Sequence, residues 1–445
     1  MTPAARIDAC ISILSVIGTV KVPMDTVIGD YMRQRRYIGS KDRAYIAEHV
    51  YMCMRHKARF AWLIEKAGGD APTPRLQMVC CLLYLDGRAQ KDVEKLFDGS
   101  KYGADPLSSE EAACLEKLSR FTLDEPDMPD LVKAEFPAEY ELQLRAVFGE
   151  DLPAQARAML EPATLDLRVN TLKKTRDEVM DSLAQNDVAT EKTSYSPCGL
   201  RVQEKTYLSK TKAFSKGWID IQDEGSQLIA LATGAGPGNQ VLDYCAGAGG
   251  KTIALANMME GKGRIIAMDN DERRLDRSRS RFKRSGVSDN IEVRPLTENR
   301  HKKWLRRQKG TFDVVLCDVP CSGSGTWRRN PDMRWINYGP DLDALYEVQA
   351  EILEKVVDTV KPGGKLVYAT CSLFREENED QIERFLKSHE DFELLDVSNH
   401  WPDGVISPVV GPYMRLTPKD HNTDGFFAAV MQRKPNSETE KMEEI

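Results

Sequence analysis

The chain has 445 residues, of which 41% are hydrophobic and 29% charged, and its formal net charge is −7. That length exceeds one ordinary core, so two or three domains are expected. The composition is that of a soluble globular protein; no apolar stretch approaches membrane-span length, and the amino terminus lacks a signal-peptide pattern, which predicts a cytoplasmic protein.

The net charge hides a separation. Residues 101–150 hold twelve acids and five bases, whereas residues 272–309 hold fourteen bases and five acids. A basic stripe on an acidic protein still attracts phosphate, although a solvated helix face accounts for it equally well. The ten cysteines are scattered through apolar runs without a paired C-x-x-C. Reduced, buried thiols are therefore the expectation, and no metal is predicted.

Residues 1–140 read as helical. Apolar positions recur at three and four in Ile7, Cys10, Ile11 and Leu14, and again in Tyr45, Ile46, His49, Val50 and Met54. Short helices broken by glycine and proline imply a bundle. Its first half interleaves Arg33, Arg35, Arg36, Lys41, Arg43, Arg55, Lys57 and Arg59 with Tyr31, Tyr37 and Tyr51, a pattern that suits RNA. Residues 141–218 read as a linker and a small α+β module, with strands at Leu165–Asn170 and Gly199–Val202 and a helix from Lys173 to Leu183.

From residue 219 to 434 the pattern turns to βα units: strands Gln240–Tyr244, Arg264–Met268, Ile291–Val293, Phe312–Leu316, Lys365–Tyr368 and Gly425–Met431, with helices between. This alternation predicts a doubly wound sheet, an α/β fold. A polar tail from 435 to 445 is expected to fray.

The first turn of that region is Asp243-Tyr244-Cys245-Ala246-Gly247-Ala248-Gly249-Gly250-Lys251-Thr252. It imitates a P-loop, but Cys245 stands where that motif needs glycine. It begins a dinucleotide fingerprint, but Thr252 replaces the third glycine. S-adenosylmethionine is the third reading. The glycines admit close backbone approach and a helix amino terminus offers N–H groups; Asp243 can support the turn or face the sulfonium end. Asp269, at the end of the next strand, is placed to accept ribose hydroxyls, a role that does not discriminate NAD from a methyl donor. Two later strands run into Asp318-Val319-Pro320-Cys321-Ser322-Gly323 and Tyr368-Ala369-Thr370-Cys371-Ser372. Parallel neighbours would bring both thiols to one sheet edge, and two thiols with an acid suggest covalent chemistry.

These three segments resemble, in order and spacing, signature motifs of the RsmB/Nop/Sun family of RNA cytosine-5 methyltransferases. The resemblance extends to Leu167–Thr171, Gln222–Ser226, Arg328–Asp332 and Asp424–Phe427, and Gly39–Arg43 resembles the NusB-like domain of bacterial RsmB-type 16S rRNA enzymes. Gly247 and Ala248 stand where the family usually has Ala-Pro.

The resemblance implies a Rossmann-like S-adenosylmethionine-dependent methyltransferase domain, preceded by an all-α NusB-like RNA-binding domain and the α+β module. It implies Cys371 as the nucleophile on cytosine carbon 6. Cys321 would assist carbon-5 proton removal and release, Asp318 would hold the base edge, and Lys251 would assist by charge. The cofactor would lie against Cys245, Ala246, Gly247, Ala248, Gly249, Gly250, Lys251, Asp269 and Asp318. An acid near the adenine is left open among Thr297, Glu298 and Asn299. The partner is RNA, rRNA ahead of tRNA, and the protein is expected to be a monomer. The rivals are a non-catalytic RNA-binding scaffold, which has no need of Cys321, Cys371 and Asp318, and a nicotinamide oxidoreductase.

Overall fold

The computed structural model describes residues 1–204, 206–402 and 404–435, so the tail beyond Pro435 lies outside the described residues. The chain forms two compact units: Met1–Pro162 with Thr326–Pro340, and Ala163–Gly325 with Asp341–Ile445.

The first unit is helical: α1 (Pro3–Val16), α2 (Met24–Gln34), α3 (Ser40–Arg55), α4 (Lys57–Lys66), α5 (Pro74–Cys80), α6 (Ser109–Leu118), α7 (Glu141–Phe148) and α8 (Leu152–Ala158) are its main elements. Thr2 caps α1 by accepting the Ala5 N–H, with Pro3 in the first turn. The three-and-four spacing buries Ile7, Cys10, Ile13 and Leu14 against Ile46, Val50 and Cys53 of α3. Burial of each large aliphatic side chain contributes about 1.5–3 kcal/mol. Glu135 is fully buried, and its carboxylate accepts the Ala58 and Arg59 N–H groups at the start of α4 (2.6 and 3.1 Å) and Arg59 Nε (3.1 Å).

The helical unit departs from the expected limit at residue 140 in two ways. It continues through α7 and α8 to Pro162, and it takes in residues 326–340 from the far half of the chain. Hydrogen bonds explain the second departure. Arg334 donates to Glu135 O (2.9 Å), Trp335 Nε1 to Met54 O (2.9 Å), and Asp332 accepts the Met24 N–H (2.9 Å). Trp327, 2% exposed, stacks near Tyr140.

The second unit begins with an antiparallel sheet of order β2-β3-β1-β4, from β1 (Leu165–Val169), β2 (Thr190–Lys192), β3 (Gly199–Val202) and β4 (Ile219–Ile221). Helix α9 (Arg176–Ala184) starts later than its apolar pattern suggests, because Thr175 and Glu178 form a capping box.

The larger sheet follows α10 (Glu224–Ala232). Its strands are β5 (Gln240–Asp243), β6 (Arg264–Asp269), β7 (Ile291–Pro295), β8 (Phe312–Asp318), β9 (Val360–Thr370), β10 (Phe392–Leu394), β11 (Tyr413–Leu416) and β12 (Phe426–Arg433). Their order is β10-β12-β9-β8-β5-β6-β7, with β11 beside β12. Strands β9-β8-β5-β6-β7 are parallel and β12 is antiparallel to β9. The chain runs outward from β5 one way and returns to β8 on its other side, which makes the β5/β8 boundary the topological switch point.

Period-two alternation splits the strands between two cores. Val241, Ile265, Val314, Leu316 and Val367 pack on one side with Leu228 of α10 and Ile253 of α11 (Gly250–Met258). Leu242, Ile266, Val315, Cys317, Leu366 and Tyr368 pack on the other with Ile352 of α14 (Leu342–Val356) and Ile382 of α15 (Glu379–Ser388); α12 (Glu272–Ser285) and α13 (Asn299–Leu305) complete the helices. Strands covered on both faces read as continuous apolar runs.

Two details fasten the carboxyl edge. Gly325 lies against Gly425, whose N–H donates to Gly325 O (2.7 Å); a Cβ on Gly325 would stand 2.2 Å from Gly425 O. Asp243 is fully buried and accepts the Thr252 hydroxyl (2.7 Å). Burial pushes its carboxyl from 3.8 up to about 7, with the Thr252 hydrogen bond opposing.

Replacing Gly325 by Ala is expected to destabilise the protein by about 1–3 kcal/mol through overpacking; an unchanged melting temperature would contradict the close approach. The Asp243 proton is held more tightly in the folded state, so its contribution is complete below the unfolded value and is lost as pH rises through about 7. Wild-type stability should therefore fall more steeply than that of Asp243→Asn from about pH 4 to about pH 7. Equal slopes in thermal melts would refute this.

Candidate active site

The parallel strands end together. Asp243 pairs with Ala267 and Leu316, and Asp318 with Ala369. The segments after β5, β6, β8 and β9 therefore leave one edge of one sheet.

The turn between β5 and α11 is shaped by its glycines. Gly247 and Gly249 have φ of +55° and +79°, which L side chains avoid. A Cβ on Gly249 would also meet Phe282 at 2.4 Å. The Ala246 N–H donates to Met268 O (2.9 Å) and the Gly247 N–H to Asp269 Oδ2 (2.7 Å). No side chain caps the amino end of α11, leaving its first N–H groups toward the edge. The Asp269 carboxylate also accepts the Asp271 N–H on Oδ1 (2.7 Å). Cys245 borders this turn, its thiol pushed up first by burial and then by Cys317, Asp269, Asp318 and Asp243. Two cations brace the turn from outside: Arg281 donates to Ala248 O (2.6 Å) and Arg168 to Gly250 O (2.8 Å). Close-approach glycines, an uncapped helix start and an adjacent carboxylate fit a nucleoside bearing a charged tail, and S-adenosylmethionine has that form.

The two sulfurs stand 3.4 Å apart, Cys321 beyond β8 and Cys371 beyond β9, each half-buried. Cys317, by contrast, is a core residue. Lys251 Nζ reaches Asp318 Oδ2 (2.7 Å) and lies 5.8 Å from the Phe426 ring. Lys251, expected to assist a thiolate or a base by charge, forms its ion pair with Asp318.

Sequence reasoning missed the residues beneath the sulfurs. Glu377 accepts the Ser322 N–H and hydroxyl (2.8 and 2.5 Å) and Gln349 Nε2 (2.9 Å). Asn378 bonds Thr370 and Ser372. Neither Glu377 nor Asn378 lies in a periodic apolar pattern, and Gln349 lies 28 residues from Glu377; only their proximity to Thr-Cys-Ser could have drawn attention.

The basic stripe is partly structural. Arg281 and Arg284 of α12 both pair with Asp220, while Arg273, Arg277, Arg279 and Lys283 remain exposed. In the helical unit Arg43 donates to Ile38 O, Arg55 to Leu160 O and Arg59 to Glu135, leaving Arg36, Tyr37 and Lys41 exposed. Near the third strand, Thr297 donates to Glu272 (3.4 Å), Glu298 pairs with Arg300 (2.5 Å), and Asn299 opens α13. Among the described residues no cluster could hold a metal ion and no helix is long and apolar enough to cross a membrane.

The family described as "16S rRNA methyltransferase RsmB/F" matches residues 230–432, and its ferredoxin-like domain matches residues 140–208. The chain is 32% identical to the probable ribosomal RNA small subunit methyltransferase B of Synechocystis, over 91% of this chain and 94% of that one. With the Bacillus subtilis protein of the same name it shares 33% identity over 62% of each chain, so that alignment spans less than two thirds of the relative. Among solved structures, that of PH0851 is similar with a TM-score of 0.76 and 25% identity, covering 97% of this chain and 99% of the other. With a Rossmann-like sheet, a glycine-lined cofactor edge and near full-length similarity, the chain belongs to the RsmB/F family of S-adenosylmethionine-dependent methyltransferases.

Proposed function

We propose that this protein methylates carbon 5 of a cytosine in small-subunit ribosomal RNA through a covalent cysteine adduct. The observation that carries this reading is the thiol pair, 3.4 Å apart at the ends of adjacent parallel strands, beside the Lys251–Asp318 ion pair. One thiol suffices for nucleophilic attack; a second at contact distance supports a division between bond formation and proton transfer. The relatives named as small-subunit rRNA methyltransferases support the substrate.

Carbon 5 of cytosine is a poor nucleophile. Attack by the Cys371 thiolate on carbon 6 places an electron pair on the carbon 5 side of the ring. S-adenosylmethionine, when bound against the Gly247–Gly250 turn and Asp269, supplies the methyl group from its sulfonium. For release, Cys321, its own proton lost to water, takes the carbon-5 proton. The C–H electrons re-form the ring double bond and the sulfur–carbon pair returns to Cys371. Asp318, oriented by Lys251, accepts from the cytosine edge and favours the protonated ring that admits attack. A cytosine must leave its stack to reach this edge, which points to a looped or flipped base. Arg36 and Lys41, exposed beside Tyr37 in the helical unit, which we read as NusB-like, and Arg273, Arg277 and Lys283, exposed on α12, are among the groups that would meet phosphate and bases. With ribosomal RNA as the substrate, our reading is of a cytoplasmic enzyme.

Cys371→Ala should abolish methyl transfer, and Cys321→Ala should accumulate a covalent protein–RNA adduct visible on denaturing gels. Near-normal turnover by Cys371→Ala would remove it as nucleophile. In cells lacking the protein, bisulfite mapping should lose one cytosine mark in small-subunit rRNA. Loss confined to tRNA would replace the substrate while leaving the chemistry.

A further inference from the structure

Glu377 and Asn378 are consecutive and fully buried, between Cys371 and α15. They face different loops. The Glu377 carboxylate binds the loop of Cys321, taking the Ser322 N–H, the Ser322 hydroxyl and the Gln349 carboxamide, while Gln349 also donates to Pro320 O (3.1 Å). Asn378 binds the loop of Cys371: its Oδ1 accepts the Thr370 hydroxyl (2.6 Å) and its Nδ2 donates to Ser372 O (3.0 Å). The hydroxyls of Ser322, Ser324 and Ser372 lie 3.2 Å from one another between the loops. Two adjacent residues thus clamp the two cysteine segments, and only the clamp on the Cys321 side carries a carboxylate.

We propose that Glu377 is a positioning residue that holds the Cys321 loop against Cys371 and, by its charge, keeps the proton of the thiol pair on Cys321, so that Cys371 is the sulfur that ionises. This deepens the function proposed above, resting on Cys371 as nucleophile, and gives a physical reason why two cysteines at one edge take different parts. Among the described residues the partners of the Glu377 carboxylate are a backbone N–H, a hydroxyl and a carboxamide, with no cation in contact to cancel its charge. Of the other ionisable groups, Asp318 on β8 is already paired with Lys251 of α11, the Tyr368 hydroxyl on β9 donates to Glu377 O (2.6 Å), and the Tyr346 hydroxyl on α14 is pushed up first by burial and then by Glu376 and Glu377. The Cys321 thiol is held well above the ordinary range, first by its hydrogen bond to Cys371, then by burial, then by the charges of Cys371 and Glu377. When Cys371 loses its proton to water, the retained Cys321 S–H can donate to the new thiolate across the 3.4 Å gap. A sulfur of higher proton affinity is also the better acceptor for the carbon-5 proton once its own has left.

The test needs neither RNA nor methyl donor, so its failure is distinct from failure of the methylation assays. Initial rates of iodoacetamide alkylation are followed against pH, with each cysteine peptide resolved by mass spectrometry. In the wild type Cys371 should react at lower pH than Cys321. Glu377→Gln should lower the Cys321 midpoint by about one pH unit, as loss of a nearby like charge predicts, and Glu377→Asp should restore it in part. Alkylation of Cys321 first in the wild type, or unchanged midpoints in a folded Glu377→Gln, would overturn the proposal. If that variant does not fold, Glu377→Asp carries the test: its Cys321 midpoint should lie below the wild-type value, and an unchanged midpoint would overturn the proposal.

Discussion

Everything at the candidate active site depends on the parallel pairing of β8 with β9 in the register that sets Asp318 beside Ala369. A slip of β8 by one residue would turn Val315 and its neighbours from one close-packed core into the other, where the facing side chains are shaped for different residues. Hydrophobic packing thereby places two chemical groups. Because both strands end level, the loops that follow begin level, and two sulfurs 50 residues apart in the chain meet at 3.4 Å.

The polar layer under that edge converts placement into orientation. Buried carboxylates and carboxamides are costly unless their hydrogen bonds are met. Glu377 and Asn378 meet theirs largely on the backbone and hydroxyls of the cysteine loops, and the Gln349 amide nitrogen donates to Glu377 and Pro320 O. The same network that satisfies these groups therefore restrains the loops. On the cofactor side the logic is steric: positive-φ glycines and the close contact with Phe282 leave no room for a side chain on Gly249, so backbone N–H groups face the edge.

Charge is divided between structure and recognition. Sequence alone presents α12 as a uniform basic stripe. In the fold, Arg281 and Arg284 converge on Asp220 and Arg281 braces Ala248, so these cations support the cofactor turn, whereas Arg273, Arg277, Arg279 and Lys283 keep to the surface. The helical unit repeats the pattern, with Arg59 serving Glu135 and Arg36 left outside.

The sequence by itself determined six of the eight strands of the larger sheet, the glycine turn and the identity of the two cysteine segments. These depend on local rules: apolar runs for strands buried on both faces, glycine where φ is positive, and motifs contiguous in the chain. Tertiary structure alone decided what depends on distant partners: that Lys251 pairs with Asp318, that Asp243 supports Thr252, and that Glu377 and Asn378 clamp opposite loops. It decided as well that residues 326–340 belong to the helical unit, since Arg334, Trp335 and Asp332 are held there by Glu135, Met54 and Met24. Hydrogen bonds across hundreds of residues leave no periodicity in the chain, and only folding brings their two ends together.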